Sequence, residues 1–271
     1  MKRLILNLTY TISIVSLMGI VGCKKDFLNI NDDPNRVTES NVTPELIFPQ
    51  AANAVGARAA SRNFEFLQNW MGYFSTSGDF ALDQTQTSYN IDFNFGDALW
   101  QNHYNVLFDL YQTKVKALAK GDTVLAAASM ILSAKLFQEL VDIYGDIPYS
   151  QAFNLDKYQQ PAYDKGSDIY TLLQKDLDLA ITYMGKTAKL TFAGIDVVNK
   201  GNQTMWIKLA NTLKLRMLIR KSEVAGFDPS AEIAKIISNG GVLHTGETIS
   251  ANPGYVNETN KQSPFYANYG L

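Results

Sequence analysis

The sequence predicts a mainly α fold with its helices arranged in pairs. Two observations carry this. Nowhere do apolar and polar residues alternate over the length of a strand, and no strand-helix-strand rhythm appears. Apolar residues recur instead at helical spacing in several segments, separated by stretches rich in Gly, Pro, Asn and Tyr.

The first two helices fall at about 44–60, which is Ala-rich, and at about 95–119, flanking a polar loop. From Val124 to Tyr144 apolar residues fill nearly every turn, with Lys135, Glu139 and Asp142 as the only charges, which describes a helix buried on most of its circumference. From Asp168 to Met184 the set Ile169, Leu172, Leu173, Leu177, Ala180, Ile181 and Met184 follows helical spacing, and Ser167 is placed to cap its start. The next helix runs from Trp206 to Lys221. In it Trp206, Leu209, Ala210 and Leu213 stand at offsets 0, 3, 4 and 7, the spacing of the first helix of a tetratricopeptide repeat, yet no clean 34-residue repeat can be laid along the chain. The last helix, Ala231 to Ser238, begins with Asp228-Pro229 as cap and first-turn proline and stops at Asn239-Gly240-Gly241. Stretches 145–166, 185–202 and 240–271 read as ordered loops.

The 271 residues are 46% hydrophobic and 18% charged, which excludes wholesale disorder. A net charge of −2 offers no footprint for a polyanion, so nucleic acid is excluded as a partner. The single cysteine can form neither an intrachain disulfide nor a Cys-based zinc site, and His103 and His244 stand 141 residues apart without a ligand pattern. No Gly-rich phosphate loop, no G-x-S-x-G elbow and no telling carboxylate pair occurs, so no cofactor, metal or catalytic residue is assigned.

That cysteine has an informative setting. Lys2 and Arg3 precede a mostly apolar stretch that ends in Ile20-Val21-Gly22-Cys23, the form of a lipobox. Residues 1–22 are therefore expected to be a lipoprotein signal peptide, and Cys23 the lipidated residue. Loss of residues 1–22 leaves 22 basic against 26 acidic residues, a net charge of −4, so acyl chains rather than surface charge would hold the protein at a membrane. Residues 23–40 read as lipidated N-terminus and tether, and 41–271 as the helical domain.

Four features in order resemble the SusD/RagB family of glycan-binding outer-membrane lipoproteins. They are the lipobox and tether through Asp33-Pro34-Asn35; Ala134-Lys135-Leu136-Phe137 leading to Tyr144-Gly145-Asp146-Ile147-Pro148-Tyr149; the helix Trp206-Ile207-Lys208-Leu209-Ala210-Asn211-Thr212-Leu213-Lys214-Leu215-Arg216; and Asn260-Lys261-Gln262-Ser263-Pro264-Phe265. The resemblance implies a SusD-like, tetratricopeptide-like scaffold that sits as a lid on a SusC-like, TonB-dependent transporter. Such a lid captures an oligosaccharide, or in some relatives a peptide, and is not an enzyme. It implies a lipid-anchored, outer-membrane and cell-surface location, with Lys24, Lys25 and Asp26 resembling the signal for surface transfer. Family members continue for a second half, so the domain is expected to be incomplete at its C-terminus. The alternatives are a lipid-anchored glycoside hydrolase and a scaffold subunit without a ligand.

Sugar binding needs aromatic rings for pyranose faces and amides or carboxylates for hydroxyls. Residues 64–111 hold 13 of the 31 aromatics. Trp100, Tyr104, Phe108 and Tyr111 share a helix face and are assigned to packing, as is Trp206. The loop 75–94 surrounds its rings with polar groups, so the ligand-binding residues are expected to be Trp70, Tyr73, Asp79, Gln84, Tyr89, Asn90 and Asp92.

Overall fold

The structure, a computed structural model, describes residues 41–60, 64–75 and 88–269. Its helices are α1 (Pro44–Ala59), α2 (Glu65–Trp70), α3 (Asp97–Ala119), α4 (Thr123–Tyr144), α5 (Gly166–Met184), α6 (Phe192–Ile195), α7 (Gln203–Arg220), α8 (Ser230–Ser238) and α9 (Pro264–Tyr269). Among the described residues there is no strand, and one isolated antiparallel bridge joins Ile147 to Asp164. The signal, the tether with Cys23, and Arg62 lie outside the described residues.

The centre is α4. Asp122 caps it by accepting the Leu125 amide at 3.1 Å. The helix is long and apolar enough to cross a membrane, but 78% of its most apolar window is buried inside the protein, as befits a core helix. Three residues, 120–122, with Gly121 at φ +69°, turn α3 back along it. At its other end Gly145 takes φ +75° and closes the helix on the Val141 carbonyl, and Pro148 follows. Asp146 Oδ1 then accepts the Gly166 amide at 2.9 Å, so α5 starts beside the end of α4 and runs back against it. Likewise the Gln203 side-chain amide donates to the Met184 and Lys186 carbonyls, fixing the start of α7 at the end of α5. The chain α3–α4–α5–α7 is thus a zigzag of antiparallel neighbours, while α1 packs on α3, α4 and α6.

The boundaries correct several expectations. Helix α3 begins at Asp97 rather than near Phe95 because Gly96 is left-handed at φ +93°, where the Tyr144 hydroxyl donates to its carbonyl at 2.7 Å. Ser167 is not the cap of α5: the helix starts at Gly166, whose amide is served from the preceding loop. Helix α7 starts three residues early because Asn202 accepts the Met205 amide at 3.2 Å. Asp228 does serve α8, taking the Ser230 amide and hydroxyl at 2.9 and 2.6 Å, although Pro229 occupies the cap position. The expected loops contain the short helices α6 and α9.

Trp206 is fully buried, with its ring 6.4 Å from Phe48 and its Nε1–H donated to Asp196 at 2.8 Å. Asp196 also accepts the amides of Val198, Asn199 and Gly201, locking the turn before α7. Lys214, its side chain fully buried, pairs with Asp178 on α5 and with Glu232 on α8 at 3.2 Å. The end of the chain returns to the beginning. Tyr255 donates its hydroxyl to Asn53 at 2.5 Å across 202 residues, and Gly56 faces Ala251 so closely that a Cβ would come within 2.4 Å of it.

Candidate functional site

Buried aromatic rings need no functional explanation, whereas a group of exposed ones does. Between α2 and α3 the exposed residues include Tyr73 (76%), Phe74 (47%), Tyr89 (60%) and Phe93 (92%). Tyr89 belongs to an ordered ring cluster. On α2, Phe66 and Trp70 stand one turn apart, with ring centroids 4.9 Å apart and edge-on. Trp70 stacks on Tyr89 at 5.2 Å and 25° and on Phe95 at 5.7 Å and 18°, and Phe66 meets Phe95 edge-on at 5.1 Å.

Local backbone chemistry places these rings. Gly72, at φ +74°, lets the chain leave α2, and the amides of Tyr73 and Phe74 return to the Gln68 carbonyl. Tyr89 itself has φ +53°, uncommon for a bulky residue. Asp92 accepts the Asn94 amide at 3.0 Å, and the Phe95 amide donates back to the Asp92 carbonyl at 3.2 Å. Tyr89 therefore offers an exposed ring with Trp70 stacked against it.

The structure brings together Trp70 and Tyr89 of the expected set. Trp70 is half-buried, a support more than a surface. Tyr73, Asn90 and Asp92 are exposed nearby in sequence, and Asp92 serves its own turn. Asp79 and Gln84 lie outside the described residues. Phe66 and Phe95 join the cluster without having been singled out. For Phe66 the signal was its four-residue spacing from Trp70, whereas nothing local marked Phe95, which counted as the start of a helix.

A second concavity, of about 230 Å³, lies between α3, α4, the loop after Pro148 and α5. Tyr111, Phe137, Tyr149 and Phe153 line it, together with Lys114, Ser133 and Asp176. Of the α3 aromatics assigned to packing, Trp100 and Tyr104 do pack against the core, while Phe108 and Tyr111 lie at its edge. Tyr104 is half-buried and donates its hydroxyl to the Pro148 carbonyl at 2.7 Å, but Phe108 is 41% exposed and Tyr111 lines the cleft. Tyr149 donates to Asp176, and burial, then the Asp176 and Asp164 carboxylates, push its hydroxyl well above the ordinary tyrosine range.

His103 is buried in the core, with Nδ1 at 2.8 Å from the Leu99 carbonyl and Nε2 at 3.2 Å from Glu139. It braces α3 against α4. Among the described residues no group of three His, Cys, Asp or Glu could hold a metal ion.

Residues 34–267 match the model of a family described as SusD-like, starch-binding and associating with the outer membrane. Solved structures with the same fold include a SusD/RagB family protein from Bacteroides thetaiotaomicron, with TM-score 0.68, 20% identity, and coverage of 84% of this chain and 48% of that one. A SusD homolog from Bacteroides fragilis gives TM-score 0.60 and 22% identity over 81% of this chain and 45% of its own. A chitin-binding SusD homolog from Flavobacterium johnsoniae gives 0.56 and 23% over 72% and 43%. The chain spans about half the length of these structures. No curated protein sequence matches it.

Proposed function

Because the chain belongs to the SusD-like family, over residues 34–267, we propose that it is a surface lipoprotein that captures oligosaccharide and delivers it to a TonB-dependent, SusC-like transporter in the outer membrane. The family description is one of binding, and no catalytic role is assigned to any residue. In this reading residues 1–22 are the signal peptide, Cys23 carries the lipid, 23–40 form the tether and 41–271 the helical unit.

The observation that carries the reading is the exposed Tyr89 ring stacked on Trp70, in a stretch that also exposes Tyr73 and Phe93. A planar apolar face of this kind suits the C–H face of a pyranose, with Asn90 close in sequence for hydroxyls. Carboxylates are common in this acidic chain, and among the described residues near the platform in sequence Asp92 and Asp97 are exposed rather than a buried acid pair of the sort a glycosidase uses.

A glycan array probed with the full chain, followed by titration of the best oligosaccharide, tests this. Tyr89→Ala is expected to weaken binding about tenfold or more, by analogy with the 1–3 kcal/mol that stacking on an aromatic ring contributes in other systems. Wild-type protein from detergent extracts is expected to copurify with a β-barrel, and Cys23→Ala to leave the outer-membrane fraction. Full affinity in Tyr89→Ala would remove the platform from the site, and release of reducing sugar by pure protein would favour a hydrolase.

A further inference from the structure

The cleft between α3, α4 and α5 has the makings of a site in its own right. Phe153, which closes one side, takes φ +65°. That conformation is costly for a bulky side chain, and such outliers gather at ligand contacts. It turns the ring onto Phe108, Tyr111 and Phe137 at 5.9, 5.5 and 6.4 Å. An apolar cavity would suit a purely structural role, but this one is bordered by hydrogen-bonding groups as well. Lys114 holds its ammonium 5.4 Å from the Tyr111 ring centre, Ser133 supplies a hydroxyl that can donate or accept, and Asp176 accepts Tyr149 through Oδ2, a bond that does not use Oδ1.

We infer that this cleft is a second sugar site, taking one neutral pyranose ring between Tyr111, Phe137 and Phe153 with its hydroxyls on Lys114, Ser133 and Asp176. The inference rests on the glycan reading of the protein. Size argues for a single ring, since 230 Å³ is below the roughly 300 Å³ at which ligand pockets usually begin. Charge argues for a neutral one, since Lys114 and Asp176 balance each other and leave no net charge to select an ionic sugar. The site is separate from the exposed platform. Phe95 lies just before the start of α3 at Asp97, whereas Tyr111 stands 14 residues beyond that start, about 21 Å along the helix.

Saturation-transfer NMR of the full chain with glucose, galactose, mannose, xylose and N-acetylglucosamine tests it. At about 10 mM sugar, which reads dissociation constants in the millimolar range, at least one should show transfer to wild type, part of which persists in Tyr89→Ala. Ser133→Leu, which fills the cleft, should abolish the part that persists in Tyr89→Ala, and Lys114→Ala should weaken it several-fold. If Ser133→Leu loses its fold, Lys114→Ala decides. No transfer from any of the five sugars, or transfer unaltered by both cleft variants, overturns the proposal. A signal lost in Tyr89→Ala but kept in Ser133→Leu overturns it while upholding the platform. The converse, with oligosaccharide binding indifferent to Tyr89→Ala, upholds the cleft and removes the platform.

Discussion

At the scale of single residues, the charged groups divide by the sign of their pH dependence. Asp164 accepts the Tyr149 and Ser150 amides at 2.9 and 2.8 Å and the Ser150 hydroxyl at 2.7 Å. Burial alone would raise its carboxyl, but these bonds outweigh burial and hold it below the ordinary carboxylate range. Glu139 has the same sign: burial raises it, and His103 and Lys135 more than compensate. Groups depressed in this way contribute stability that is complete above about pH 4 and is lost as pH falls through their folded values. Tyr170 has the opposite sign, because burial and then its bond to Asp142 push it up to about 12. Its contribution is complete below about pH 10 and fades as pH rises towards the folded value. Urea midpoints measured across pH should therefore fall at both extremes, and Asp164→Asn should flatten the acid limb. An acid limb unchanged by that substitution would show the Asp164 bonds to be energetically silent. None of this was legible in the sequence, since the partners of Asp164 lie 14 and 15 residues away and no motif announces them.

At the scale of elements, the segment from Trp206 to Arg216 shows what a motif can hide. Asn211 is fully buried and donates its amide to the carbonyls of Gly241 and Asn239 at 2.8 and 3.2 Å, so a side chain in the middle of α7 terminates α8. Thr212 accepts the Leu243 amide at 3.0 Å, and Lys208 pairs with Glu247, extending the same service to the chain beyond α8. Asn211→Ala should lower the unfolding free energy by about 1–3 kcal/mol, because it removes two hydrogen bonds made by a fully buried side chain, each contributing about 0.5–1.5 kcal/mol. A thermal midpoint within error of wild type would contradict this. Long helices were legible because three or more turns display a period. The ends of α3 and α5 were not, because Gly96 adopts a backbone conformation no periodicity reports and Asp146 caps from a distance. Helices α2, α6 and α9, of 6, 4 and 6 residues, are too short to show a repeat and are held by what they pack against.

At the scale of the molecule, the zigzag of antiparallel neighbours makes most contacts local in sequence, and the ring cluster around Trp70 lies just before its first helix, α3. Composition pointed to the stretch that holds this ring cluster, but which rings meet depends on how the chain returns after α2: Trp70 and Tyr89 were expected together, and Phe66 and Phe95 were not. Contacts of α1 with the later part of the chain depart from this locality, Phe48 with Trp206 among them. The return of Tyr255 to Asn53 and of Ala251 to Gly56 closes a loop of about two hundred residues, which neighbour-to-neighbour folding reaches last. By hydrogen exchange, Gly56→Ala should quicken the amides of α1 and of residues 251–256 while α4 keeps its protection. Uniform loss would mean that α1 is no separate unit. The missing methyl group at residue 56 is thus what lets residues 251–256 close on α1, and adding it would loosen that edge while the α3–α4–α5 centre stays shut.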